Sequence, residues 1–173
     1  MKNLIFIGLQ NNDKKYQNTR HNAGAILLRE VEGNLPSANF PHVINFYYSP
    51  TYMNLSGDIL NKIKKENNLK QSEEYKNIFV FCDDVNISVG EYKISFEVGA
   101  SSQNGVKSIA ERLGSKKFWR VRVGIGKKLV NGKNKRPEPD EMSDYVLSNL
   151  SKDEIQKIMS LNIDILHNIG NLF

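Results

Sequence analysis

The run LIFIGL at residues 4–9 is the strongest constraint on the fold of this chain. It is β-forming and leaves no polar face, so a strand built from it must be covered on both sides. NIFVFC (77–82) has the same character and ends at Asp83 and Asp84. VINFYYS (43–49), EYKISFEV (91–98) and FWRVRVGIG (118–126) also read as strands. Between them, AGAILLREV (23–31) and GVKSIAERLG (105–114), which closes on Gly114, read as helices. A further helix is predicted from about Asn54, with Ile59, Leu60 and Ile63 on one face. Ser151 and Glu154 form a capping-box pattern for a last amphipathic helix over about 151–168, and 127–143 reads as a flexible basic loop. Alternating strands and helices predict an α/β fold with a largely parallel sheet, in one domain spanning 1–173.

Composition narrows the setting. The single cysteine, Cys82, excludes an intramolecular disulfide and fits a reducing cytoplasm. Three scattered histidines and that cysteine offer no zinc spacing, and the apolar opening is too short for a signal core or a membrane span. The net charge of +5 is compatible with a polyanionic partner without establishing one.

In open α/β sheets, sites form beyond the carboxyl ends of the strands. Asn11 follows the first strand there, with His21 further along the same loop, and Asp83 follows the second apolar strand. Asn54 and Asn104 stand at the starts of helices. Each alone has a structural reading: Asn11 as a turn residue, Asn54 and Asn104 as helix caps, Asp83 as a cap or turn, His21 as an exposed loop residue. Together they make chemical sense. Imidazole takes a proton from water near neutrality, a carboxylate on its other nitrogen sets the tautomer, and asparagine amides stabilise an oxyanion without titrating. There is no G-x-S-x-G elbow, and Cys82 lies within an apolar strand, which leaves water as the nucleophile.

The stretches FIGLQN (6–11), YQNTRHNAG (16–24), PTYMNLSG (50–57), FVFCDDVNISVG (79–90), QNGVKSI (103–109), RVRVGIG (120–126) and DYVLSNLSKDE (144–154) are similar to those of the bacterial peptidyl-tRNA hydrolases, in the same order. That resemblance implies a three-layer α/β/α sandwich around a mixed twisted sheet. It implies a monomeric cytoplasmic enzyme with no cofactor or metal, which hydrolyses the ester between a peptide and the tRNA 3′-terminal ribose. By position it implies His21 as catalytic base, Asp83 as its partner, and Asn11, Asn54, Asn104 and Tyr16 around the substrate. Arg122 would meet tRNA phosphate at the acceptor stem and CCA end, with Lys93 and Lys107 as further phosphate contacts and Lys116, Lys117, Arg120 and the loop lysines as weaker candidates. The chain departs from the family pattern where Gln103 stands for a histidine, where QNND follows the first strand, and where Ser95 stands for a lysine. These departures leave a second reading, an RNA-binding relative without the hydrolytic activity. A small-molecule hydrolase or phosphorylase of similar sheet architecture is a third.

Overall fold

The computed structural model describes residues 1–96, 103–128 and 134–173. Its first half runs β1 (Asn3–Gly8), α1 (Ala23–Asn34), β2 (Val43–Tyr48), α2 (Ile59–Asn67), β3 (Glu74–Ser88) and β4 (Tyr92–Phe96). The second half runs α3 (Asn104–Leu113), β5 (Lys117–Lys128), β6 (Asn134–Lys135), α4 (Met142–Leu147), α5 (Lys152–Met159) and α6 (Asn162–Gly170). The strands lie in the order β2-β1-β3-β5-β4. The first four are mutually parallel, β4 is antiparallel to β5, and the two-residue β6 also pairs antiparallel with β5. The sheet is therefore mixed and mostly parallel.

Strand periodicity sends alternate residues to opposite faces, and here both sets are apolar. Leu4, Phe6, Phe79, Phe81, Val121 and Val123 pack with Leu27, Leu28 and Val31 of α1 and with Ile158, Ile165 and Ile169 of α5 and α6. Ile5, Ile7, Ile78, Val80 and Cys82 pack on the other side with Leu60 and Ile63 of α2 and Val106, Ile109 and Leu113 of α3. Helices on both faces make the three layers that the apolar strands required.

Three boundaries differ from the sequence reading. The segment from Asn54 does not start a helix: Met53–Asp58 is a 3-10 turn and α2 begins at Ile59. Its backbone lies against α3, where Gly57 N donates to Ser108 Oγ at 2.9 Å and a Cβ on Gly57 would stand 2.4 Å from Ser108 O. Asp83 does not follow its strand but lies inside it, because pairing with β5 continues through Asp83↔Val123 and Asp84↔Gly124. The final helix is broken into α5 and α6. There Ser160 Oγ donates to Lys157 O at 2.8 Å and Asn162 Nδ2 to Met159 O at 2.7 Å, so side chains occupy carbonyls in place of a continuous ladder. Of the basic stretch at 127–143, Lys127 and Lys128 end β5, α4 begins at Met142, and 129–133 lie outside the described residues, as do 97–98 of the strand expected at 91–98.

Helix α1 approaches β3 closely, and Gly24 permits it: a Cβ there would sit 2.3 Å from Phe81 O. Alanine normally improves a helix by about 1 kcal/mol over glycine. A backbone carbonyl has little room to yield, so Gly24→Ala is expected to destabilise the fold by about 1–3 kcal/mol. Urea denaturation should show a lower midpoint with unchanged slope, and a gain in stability would contradict the close approach.

Candidate active site

The polar stretch after β1 is held by amide side chains. Asn11 N donates to Asn22 Oδ1 at 2.8 Å, and Asn22 Nδ2 donates back to Asn11 O at 3.1 Å. This reciprocal pair is buried and closes the loop from 11 to 22. The Asn11 side-chain oxygen accepts from Met53 N at 2.7 Å, which ties the loop to the turn before α2. Its NH2 is then the end that remains for the cleft.

His21 sits in the 3-10 turn Arg20–Asn22. The turn is anchored from beneath by Arg20, whose guanidinium forms a fork with Glu154 at 2.9 and 3.1 Å and whose Nε donates to Ser148 Oγ at 3.2 Å. Glu154 also serves the capping box of α5, so one carboxylate joins that helix to the histidine turn. His21 Nδ1 lies 2.8 Å from Asp83 Oδ1, with side-chain exposures of 14% and 4%. An ionised carboxylate only accepts, so Nδ1 carries the proton and Nε2 is the free base. Burial opposes the imidazolium, but the charge of Asp83 and its hydrogen bond outweigh that, and the pKa of His21 stands above its ordinary 6.5.

Around this pair opens a cleft of about 890 Å³. Asn11, Tyr16, His21, Asn54, Asp83, Asn104 and Arg122 all line it. Asn54 and Asn104 are exposed and are not helix caps: α3 is capped by Gln103, whose Oε1 accepts from Val106 N at 2.8 Å. Arg122 pairs with Asp84 at 3.2 Å. Lys93 and Lys107 are not in the cleft wall. Lys93 is exposed on β4 opposite Arg122, and Lys107 borders a separate groove with Lys116 and Arg120. Arg120, expected among the surface cations, is buried at 3% exposure because its strand position faces inward.

Sequence reasoning missed Asn22, Met53, Tyr52 and Arg20. The Asn22 signal was present in TRHN, but its partner is a backbone group that no side-chain pattern reveals. Cys82 lines the cleft floor, where burial first and the neighbouring Asp83 and Asp84 next push its thiol up, leaving it protonated. Among the described residues, no group of three His, Cys, Asp or Glu side chains converges as a metal site requires, and no helix is long and apolar enough to cross a membrane.

The model of the peptidyl-tRNA hydrolase family matches residues 5–172. The chain belongs to the peptidyl-tRNA hydrolase family. It is 34% identical over 165 residues to the peptidyl-tRNA hydrolase of Aliarcobacter butzleri, covering 89% of this chain and 83% of the relative. It is 35% identical over 167 residues to that of Fervidobacterium nodosum, covering 91% and 84%. The crystal structure of peptidyl-tRNA hydrolase from Acinetobacter baumannii superposes with a TM-score of 0.72 at 24% identity, over 98% of this chain and 87% of that one. The family's fold is thus present along nearly the whole chain, and the RNA-binding and small-molecule readings are not favoured.

The geometry of the histidine pair has a measurable consequence. NMR titration should place His21 above 6.5, and Asp83→Asn should lower it by removing the charge that outweighs burial. Because folding raises this pKa, the pair stabilises the fold fully below about 6.5, and that contribution fades as pH rises through the folded value. An unmoved titration in Asp83→Asn would show that some other group governs His21.

Proposed function

We propose that this chain hydrolyses the ester joining a peptide, or an N-blocked amino acid, to the 3′-terminal ribose of tRNA. The observation that carries the proposal is the His21–Asp83 pair opening onto a cleft lined by Asn11, Asn54 and Asn104. His21 Nε2 takes a proton from water as the water oxygen attacks the ester carbonyl carbon. Asp83 holds the ring and stabilises the imidazolium that forms. The Asn11 NH2 and the Asn104 amide donate to the carbonyl oxygen as it becomes an oxyanion. Collapse breaks the bond to the ribose oxygen, which receives the proton from His21, so the products are a free peptide acid and a tRNA with its hydroxyl restored. Asn54 and Tyr16 hold the peptide beside the ester.

The tRNA side of the proposal rests on charge. Arg122 lines the cleft and Lys93 stands opposite it in the β4–β5 ladder, and both would meet acceptor-stem phosphates beyond the CCA end. Lys107 extends the basic surface along α3. The protein acts as a monomer in the cytoplasm, and the proposed chemistry uses neither metal nor cofactor, because the ribose hydroxyl is a competent leaving group.

Hydrolysis of an N-blocked aminoacyl-tRNA tests the reading. His21→Ala should lose about 10²–10⁴ in kcat, and Asn104→Ala roughly 10²–10³. In the wild type, kcat/KM should rise with pH along a limb set by the raised pKa of His21, above 6.5, since only the neutral ring acts as base. A wild type that binds tRNA but never cleaves it would instead be an RNA-binding protein. Binding should also weaken on the order of tenfold for a fourfold rise in salt if two or so phosphates are neutralised. Salt-independent affinity would exclude the proposed role for Arg122, Lys93 and Lys107.

A further inference from the structure

The two ends of the Gln103 amide are committed in different directions. Oε1 accepts from Val106 N at 2.8 Å and caps α3, while Nε2 lies 3.1 Å from Asp83 Oδ1. A backbone N–H can only donate, so the helix end determines which amide atom is the oxygen, and the group turned to Asp83 is an N–H. The same Asp83 oxygen lies 2.8 Å from His21 Nδ1. Met53 Sδ stands a further 3.2 Å from Nε2, and the missing side chain of Gly105 leaves room for Oε1, which a Cβ there would approach to 3.0 Å.

We propose that Gln103 is a positioning residue: its non-titrating N–H holds the Asp83 carboxylate toward His21 and limits how far that carboxylate strengthens the base. This deepens the hydrolase reading and rests on it for its catalytic meaning. A carboxylate oxygen that accepts two hydrogen bonds shares its charge between both donors. His21 is then held in the productive tautomer, while a smaller part of the Asp83 charge is spent on keeping the ring protonated. An amide is also neutral at every working pH, so no second proton titrates beside the base.

Other charged groups face the pair from their own elements. Asp84 stands next along β3 and is paired with Arg122 of β5, and Arg120 and Arg136 also reach the cleft. Among the described residues, Tyr16, Tyr52 and the buried Cys82 complete the titratable groups there. Replacing Gln103 by methionine adds no charge to these, so a change in His21 in that variant reports on Asp83.

The test is an NMR titration of His21 in the wild type, Gln103→Met and Gln103→Glu, with thermal melting and kcat measured alongside. The methionine removes the N–H and the cap. The glutamate keeps an oxygen for Val106 N, replaces the donor with a negative charge, and guards against a variant that merely fails to fold. The pKa of His21 is expected to rise in Gln103→Met and further in Gln103→Glu. In Gln103→Met, kcat at high pH should fall roughly tenfold, as for loss of a hydrogen bond to a charged group. Gln103→His should steepen the acid limb of the pH profile by adding a second titrating group. If melting temperatures change while His21 titrates as in the wild type in both the methionine and glutamate variants, Gln103 is only a helix cap and the inference is wrong. The titration needs no turnover, so a wild type without hydrolase activity would defeat the proposed function and leave this inference to stand or fall on the pKa of His21.

Discussion

The apolar interiors of β1 and β3 run out at the same edge of the sheet, and the cleft depends on that. Leu4 to Ile7 and Ile78 to Phe81 are buried on both faces, where an unpartnered polar group would cost several kcal/mol. Polar residues can enter these strands only near their ends. Because β1 and β3 are parallel, with Gly8 opposite Phe81, β1 ends level with the point where the apolar run of β3 gives way to Asp83, and Asn11 and Asp83 emerge on one side. An antiparallel pair would have sent them to opposite ends of the sheet. The position of the site thus follows from strand direction, which follows from the helices that must return the chain across each face.

Placing a histidine beside Asp83 takes a loop that does not fluctuate. The stretch from 11 to 22 has few apolar residues to anchor it, and its order comes from polar groups satisfied one by one. Asn22 bonds both backbone groups of Asn11, Thr19 bridges to Asn149, and Arg20 reaches α5 through Glu154. Arg20 also lies over the Tyr145 ring at 4.9 Å, so its charge is buried against an aromatic face as well as a carboxylate. Burial would raise the Glu154 carboxyl, but hydrogen bonds from Arg20 and Ser151 bring it below the usual range and keep the pair ionised. The C-terminal layer thereby supports the His21 turn, more than 100 residues away in sequence.

Electrostatic tuning in the cleft works by pairing. Asp83 serves His21 and Gln103, and Asp84, the next residue, serves Arg122 and the backbone of Asn86. Two adjacent carboxylates would repel if both faced one side, but strand alternation separates them and gives each a different partner. The first raises the basicity of the imidazole; the second holds Arg122 in the cleft lining.

Periodicity made the α/β architecture, the two doubly covered strands and the capping box at Ser151 legible, because each depends on residues close in sequence. The resemblance of TRHN and YMNLSG to a known family added His21, Asn11, Asn54, Asn104 and Asp83 as one set. Local reasoning failed wherever a side chain's partner comes from elsewhere in the chain. Asn54 and Asn104 look like caps, yet Gln103 takes the cap of α3 and leaves both amides facing the cleft. Asp83 looks like a strand end, yet pairing with β5 carries the strand on to Ser88. Arg120 looks like a surface cation, yet the sheet turns it inward. The sequence by itself determined the five main strands, the helices α1 and α3, and that polar chemistry gathers where the apolar runs of β1 and β3 stop. Only the tertiary structure decided which donor meets which acceptor, because a hydrogen bond is made within about 3 Å and that proximity is set by packing between distant segments.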